Sequence, residues 1–151
     1  MKKQDVRYII IHCSATRCNM TYTAFQLDQD HRMRGFKMAG YHFYIRRDGE
    51  IESMRPTNHI GAHTLGYNSQ SIGICYEGGL STTGKAADTR TDAQKRAIIR
   101  LLRVLRADYP YATVCGHRDL SPDRNKDGMI THDEWLKECP CFDALREYAR
   151  L

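Results

Sequence analysis

The chain has 151 residues, 41% of them hydrophobic and 27% charged, with a formal net charge of +5 and a mean hydropathy of −0.61. That length holds about one domain, and no apolar run approaches the roughly 20 residues of a membrane helix, so neither a multidomain array nor a membrane partner is expected. The positive charge is scattered without blocks. It reads as steering toward an anionic partner such as a bacterial wall polymer rather than as a nucleic-acid footprint, and a monomer with no nucleic-acid partner is expected.

The N-terminus "MKKQDVRYIIIHC" is basic, but its apolar run Tyr8 to Ile11 is shorter than the roughly 7–15 residues of an export signal. No such signal is legible, and synthesis in the cytoplasm is expected. "RYIIIHCSAT" predicts a buried strand followed by a polar loop. Apolar residues recurring through "YTAFQLDQDHRMRG" predict a helix over about Thr23 to Arg34, stopped by Gly35. In "GYHFYIRRDGEIESM" two strand-like runs flank Asp48-Gly49, a hairpin signal. "SQSIGICYEGG" reads as another short buried strand. Thr91 and Gln94 form a capping box, opening a helix over about Asp92 to Ala107 with Ile98, Leu101, Leu102 and Leu105 on one stripe. "YATVCGH" predicts a strand that delivers His117 at its end, and a last helix is expected over about Asp143 to Arg150. Strands alternating with helices imply a single α/β domain, with a central mixed β-sheet flanked by helices.

Six cysteines and seven histidines offer many metal ligands. With no export signal, thiols or metal ligands are expected rather than disulfides. His12 and His117 sit at strand ends and Cys139 precedes a proline. Two imidazoles and a thiolate suit Zn2+, with a fourth position left for solvent. There is no HExxH and no CxxC, so spacing alone does not separate this set from ordinary hydrogen-bonded histidines. Of the others, His42 reads as structural, and His31, His59 and His132 as surface residues. Cys75 reads as a small buried apolar residue. Cys13 should point away from His12, Cys18, Cys115 and Cys141 read as free thiols, and Asp119 reads as a turn cap.

"DRNKDGMITHDE", residues 123–134, fits a calcium-loop pattern. Asp123, Asn125, Asp127 and Glu134 would supply side-chain oxygens, Met129 a main-chain carbonyl, and Gly128 the turn. The proline-containing text before it permits no entering helix, whereas "THDEWLKEC" can form a short one after it. Two readings stand: a structural Ca2+ site that stiffens the path from His117 to Cys139, and a solvated acidic turn without an ion.

Five segments in order, "IIIHCSAT", "GYHFYIRRDG", "GAHTLGYNSQSIGICYEGG", "GHRDLSP" and "CPCFD", resemble the zinc-dependent type 2 N-acetylmuramoyl-L-alanine amidases. That family includes phage amidase lysozymes and peptidoglycan recognition proteins. The resemblance implies an amidase-like fold over residues 1–151, with residues 123–134 an insertion relative to compact phage enzymes. It matches His12, His117 and Cys139 to the zinc ligands, and Tyr41 and Lys137 to residues that assist catalysis. It places His63 beside the cleft, where substrate contact and simple loop hydrogen bonding are both open. The implied activity is hydrolysis of the bond between N-acetylmuramic acid and L-alanine in peptidoglycan, as in a phage or prophage endolysin. The alternative is a non-catalytic wall-binding module. Retention of Cys139 favours the enzyme, since relatives without that cysteine bind wall fragments without cutting them.

Overall fold

The computed structural model describes residues 1–151. Its centre is a five-stranded mixed sheet in the order β4-β3-β5-β1-β7, built from β1 (Tyr8–Cys13), β3 (Phe43–Ile45), β4 (Ile51–Ser53), β5 (Ser71–Tyr76) and β7 (Thr113–Gly116). β1 pairs in parallel with both β5 and β7, β3 is parallel to β5, and only β4 is antiparallel. A two-stranded ribbon joins β2 (Thr16–Arg17) to β6 (Gly79–Leu80). Strands enclosed on both faces read as continuous apolar runs, which is why "YIIIHC" and "SIGICY" are buried almost throughout.

Side-chain alternation divides those two strands between two layers. Ile9, Ile11 and Cys13 of β1 and Ile72, Ile74 and Tyr76 of β5 pack beneath α2 (Asp92–Asp108), joined by Ile98, Leu102 and Leu105. The opposite face carries Cys75 and Tyr44 against Ala24 and Leu27 of α1 (Ala24–Met33). His12 is even-numbered on β1, so it shares the α1 face with Ile10, and it is 1% exposed.

α2 begins at the predicted capping box: Thr91 Oγ1 accepts the Gln94 N–H and Gln94 Oε1 accepts the Thr91 N–H. Gln94 is fully buried, and its amide also donates to the carbonyls of Ile45 and Glu77. The cap therefore ties the helix to the ends of β3 and β5. α1 has the same device, with Thr23 and Gln26. The hairpin turns where expected, with Gly49 at φ +89°. No helix is long and apolar enough to cross a membrane.

Two helical expectations are corrected. α3 spans only Ala144–Glu147, because Tyr148 turns inward against Phe142 and its hydroxyl accepts from buried Arg90. Over Thr131–Cys139, where a short helix is expected, only a single 3-10 turn forms, His132–Glu134, at the end of the 123–134 loop. Ser121 Oγ draws off the Leu136 N–H, leaving Lys137 and Cys139 on irregular chain.

Candidate metal centre

Three donor atoms, one each from His12, His117 and Cys139, lie within 4.8 Å of one another, and no other trio of histidine, cysteine or acidic side chains converges in this way. His12 projects from β1, and its Nδ1 lies 3.8 Å from Cys139 Sγ. His117 opens a 3-10 turn directly after β7, with its ring centroid 4.8 Å from that of His12. Because β1 and β7 are parallel neighbours, both imidazoles leave the same edge of the sheet.

Backbone contacts place the sulfur. The Cys13 N–H donates to Cys139 Sγ at 3.3 Å, and the Arg118 N–H donates to the Cys139 carbonyl at 2.9 Å. Gly116 is required here, since a Cβ would stand 2.5 Å from Pro140 Cδ. Asp119 is the cap expected of it, with Oδ2 accepting the Gly116 N–H at 2.7 Å. Cys13 lies on the α2 side, where the adjacent Cys139 sulfur and then burial push its thiol up to about 12.

The imidazoles are held neutral. Burial, reinforced by Lys137, lowers His117 to about 4. Burial and then the neighbouring His63, His117 and Lys137 lower His12 well below its ordinary value. A neutral imidazole keeps the lone pair that a metal needs. Two imidazoles and a thiol also match the donor preferences of Zn2+, so these residues fit such an ion.

Beside the trio opens a cleft of about 370 Å³, reached by Arg34, Tyr41, His63, Leu65 and Lys137. The Tyr41 ring centroid lies 5.0 Å from that of His12. Burial raises the Tyr41 hydroxyl well above its ordinary value, so it stays protonated. Lys137 is exposed at the rim.

Several other histidines differ from expectation or gain a partner. His31 is buried, not superficial, and its Nδ1 accepts the Gly40 N–H at 2.8 Å. It continues the inward stripe of Ala24 and Leu27, a spacing already visible in the sequence. His42 is structural as read, with Nδ1 accepting the Gly73 N–H and Nε2 against the His59 carbonyl. His63 Nδ1 lies 2.9 Å from His12 Nε2, a contact between distant segments that the sequence did not signal. All six cysteines are free.

The calcium expectation for residues 123–134 finds no support: the carboxylates form no converging group, and most of their oxygens accept the loop's own N–H groups, although Asp123 Oδ1 is buried without a partner. Glu134 is 2% exposed and accepts the N–H groups of Arg124, Asn125 and Thr131. Asp123 accepts from Gly128 and Asp127 from Met129. The carboxylates of Asp123, Asp127 and Glu134 thus act as turn pegs and do not converge. Asn125 likewise accepts the Asp127 N–H, and Met129 is exposed.

The family model for N-acetylmuramoyl-L-alanine amidase matches residues 2–140. The endolysin of Enterobacteria phage K11 is 37% identical over 145 residues, covering 96% of this chain and 87% of that protein. Among solved structures, the N-acetylmuramoyl-L-alanine amidase LysC from Clostridium intestinale superposes with a TM-score of 0.71 at 28% identity, covering 95% of this chain and 82% of its own. A Drosophila PGRP-LB variant in complex with tracheal cytotoxin superposes with a TM-score of 0.68 at 26% identity, covering 96% and 80%.

Proposed function

Since the chain belongs to the N-acetylmuramoyl-L-alanine amidase family, we propose that it is a zinc-dependent, endolysin-type enzyme that hydrolyses the bond between N-acetylmuramic acid and L-alanine in bacterial peptidoglycan. The observation that carries this reading is the convergence of His12, His117 and Cys139 against Tyr41 and His63, which line a cleft. His12, His117 and Cys139 would hold Zn2+, which would supply Lewis-acid chemistry for the amide carbonyl and for a water molecule.

The chain's own groups do the rest. Tyr41 keeps its proton and can donate it toward the developing oxyanion or the leaving amine. The Lys137 ammonium at the rim offsets negative charge on the carbonyl oxygen as the tetrahedral centre forms. Arg34 and Lys137 line the cleft and no carboxylate does, which suits the free carboxylates of a wall stem peptide. One amidase domain is proposed for residues 1–151, with residues 123–134 an insertion stiffened by its own Glu134. A relative seen with a bound wall fragment, tracheal cytotoxin, supports muropeptides as substrate. The wall as site of action rests on the endolysin relatives.

Mass spectrometry of purified muropeptides digested by the zinc-loaded protein tests the reading. The expected products are a free stem peptide and a disaccharide retaining its lactyl carboxylate, together heavier than the substrate by one water. Tight binding of muropeptides without those products would assign the chain to the non-catalytic wall-binding modules instead.

A further inference from the structure

His12 has to offer one particular nitrogen to the centre. Its Nδ1 faces Cys139, so Nε2 points away from the converging donors. A neutral imidazole with a lone pair on Nδ1 carries its proton on Nε2. In a residue 1% exposed that proton needs a protein acceptor, because a buried donor left unpaired loses its hydration without replacement. Two acceptors are in reach, His63 Nδ1 at 2.9 Å and Thr64 Oγ1 at 3.3 Å, and the nearer is the His63 nitrogen.

His63 is built to be that acceptor. If its Nδ1 accepts, its own proton must sit on Nε2, and Ser71 Oγ lies 3.5 Å from that nitrogen. The Ser71 hydroxyl spends its hydrogen on the Tyr67 carbonyl at 2.8 Å, which leaves the oxygen's lone pairs toward His63. Each proton in the series His12, His63, Ser71, Tyr67 carbonyl has one acceptor, and all run in one direction. Thr64 Oγ1 flanks the first link, 3.1 Å from His63 Nδ1 and 3.3 Å from His12 Nε2.

The ring is also fixed in place. Tyr8, Ile10 and His12 of β1 stand opposite Ser71, Gly73 and Cys75 of β5. The sheet face that carries His12 therefore carries Ser71 and, between them, a strand position with no side chain. The His63 ring fills that space, since a Cβ at Gly73 would lie 2.7 Å from its Cδ2 and one at Gly61 would lie 2.6 Å from it. Asn68 Oδ1 anchors the loop by accepting the N–H groups of His63 at 2.9 Å and Thr64 at 2.8 Å.

We propose that His63 is a positioning residue for the metal centre. It holds His12 in the Nε2-protonated tautomer and in the ring orientation that presents Nδ1 to the ion, with Ser71 setting the tautomer of His63 in turn. The proposal rests on the zinc reading above and gives that reading its outer layer of hydrogen bonds, as a metal-bound imidazole generally has on its second nitrogen.

The test compares wild type with His63→Ala and His63→Asn. In His63→Asn the side-chain amide oxygen would sit near the position of the lost Nδ1 and can accept the same proton. Zinc dissociation constants are measured by competition with a chromophoric chelator. Long-range proton–nitrogen spectra of the protein as purified read the tautomer of His12. His63→Ala is expected to bind zinc about 10- to 100-fold more weakly and to lose the single Nε2-protonated state, with His63→Asn restoring both. If His63→Ala does not fold, Ser71→Ala takes its place and should blur the tautomer of His63 and then of His12. Unchanged zinc affinity with an unchanged His12 tautomer overturns the proposal. A rise in KM alone would then leave His63 as a substrate contact. Absence of stoichiometric zinc in wild type would sink the zinc reading, and the spectra would still decide whether His63 sets the tautomer.

Discussion

At the residue scale the site separates groups that would hold a metal from groups that would handle charge and protons. Tyr41→Phe removes only a hydroxyl. It should lower hydrolysis of muropeptides by about 100-fold while zinc content by elemental analysis stays at the wild-type level. Lys137→Ala should do the same, with a larger loss in kcat than Lys137→Arg, which keeps the charge. Cys139→Ser should instead release the metal. Full activity in Tyr41→Phe would remove its catalytic role. His12, His117 and Cys139 are legible only as members of an ordered set of motifs, because no two of them are close in sequence. His31 reads as a surface residue because its helix is largely polar, although it lies in register with Ala24 and Leu27 and is buried with them. The contact from His63 to His12 is not legible at all, since it depends on the pairing register of β1 with β5.

The elements that carry the site are tied together by buried polar caps. Gln94 serves its own helix and two strand-end carbonyls, so Gln94→Leu strands buried groups and should cost about 2–4 kcal/mol in denaturant unfolding. Thr91→Ala should cost about 1 kcal/mol. A smaller loss for Gln94→Leu than for Thr91→Ala would contradict the double role. Gly116→Ala pushes against Pro140 and should weaken zinc binding as well as stability, because Pro140 adjoins Cys139. The long elements are readable because their periodicity and caps agree, as in α2, found within one residue of Asp92–Asp108. The C-terminal helix and the segment after the 123–134 loop are not. There, tertiary hydrogen bonds from Arg90 and Ser121 override weak local preference. The calcium pattern is ambiguous for a related reason: the same oxygens that could ligate an ion can also cap turns, and most of them do so here.

Over the whole molecule, buried neutral histidines and buried carboxylates such as Glu77 make stability depend on pH in the same direction. His63 is lowered to about 3 by burial and the nearby His42, and His117 to about 4. Between pH 6.5 and those values the unfolded chain binds protons that the folded chain refuses, so stability falls as pH falls, by about 1.4 kcal/mol per pH unit for each histidine. Burial opposes ionisation of Glu77, but the Tyr22 N–H, the Arg46 guanidinium and the Arg47 N–H outweigh it and hold the carboxyl below its ordinary value. Its contribution is present above the unfolded value of 4.5 and lost as pH falls through the lower folded value. Denaturant titrations of metal-free protein should therefore show stability declining steadily below pH 6.5, and a flat profile between pH 6.5 and 4.5 would contradict the buried neutral state.

All of this turns on whether a metal sits where His12, His117 and Cys139 converge. A crystal structure of the zinc-loaded protein with anomalous diffraction recorded at the zinc edge measures it directly. The account predicts one strong peak bonded to His12 Nδ1, a ring nitrogen of His117 and Cys139 Sγ, at roughly 2.0–2.3 Å from each. A peak at any other set of residues, or none in an active protein, would contradict it.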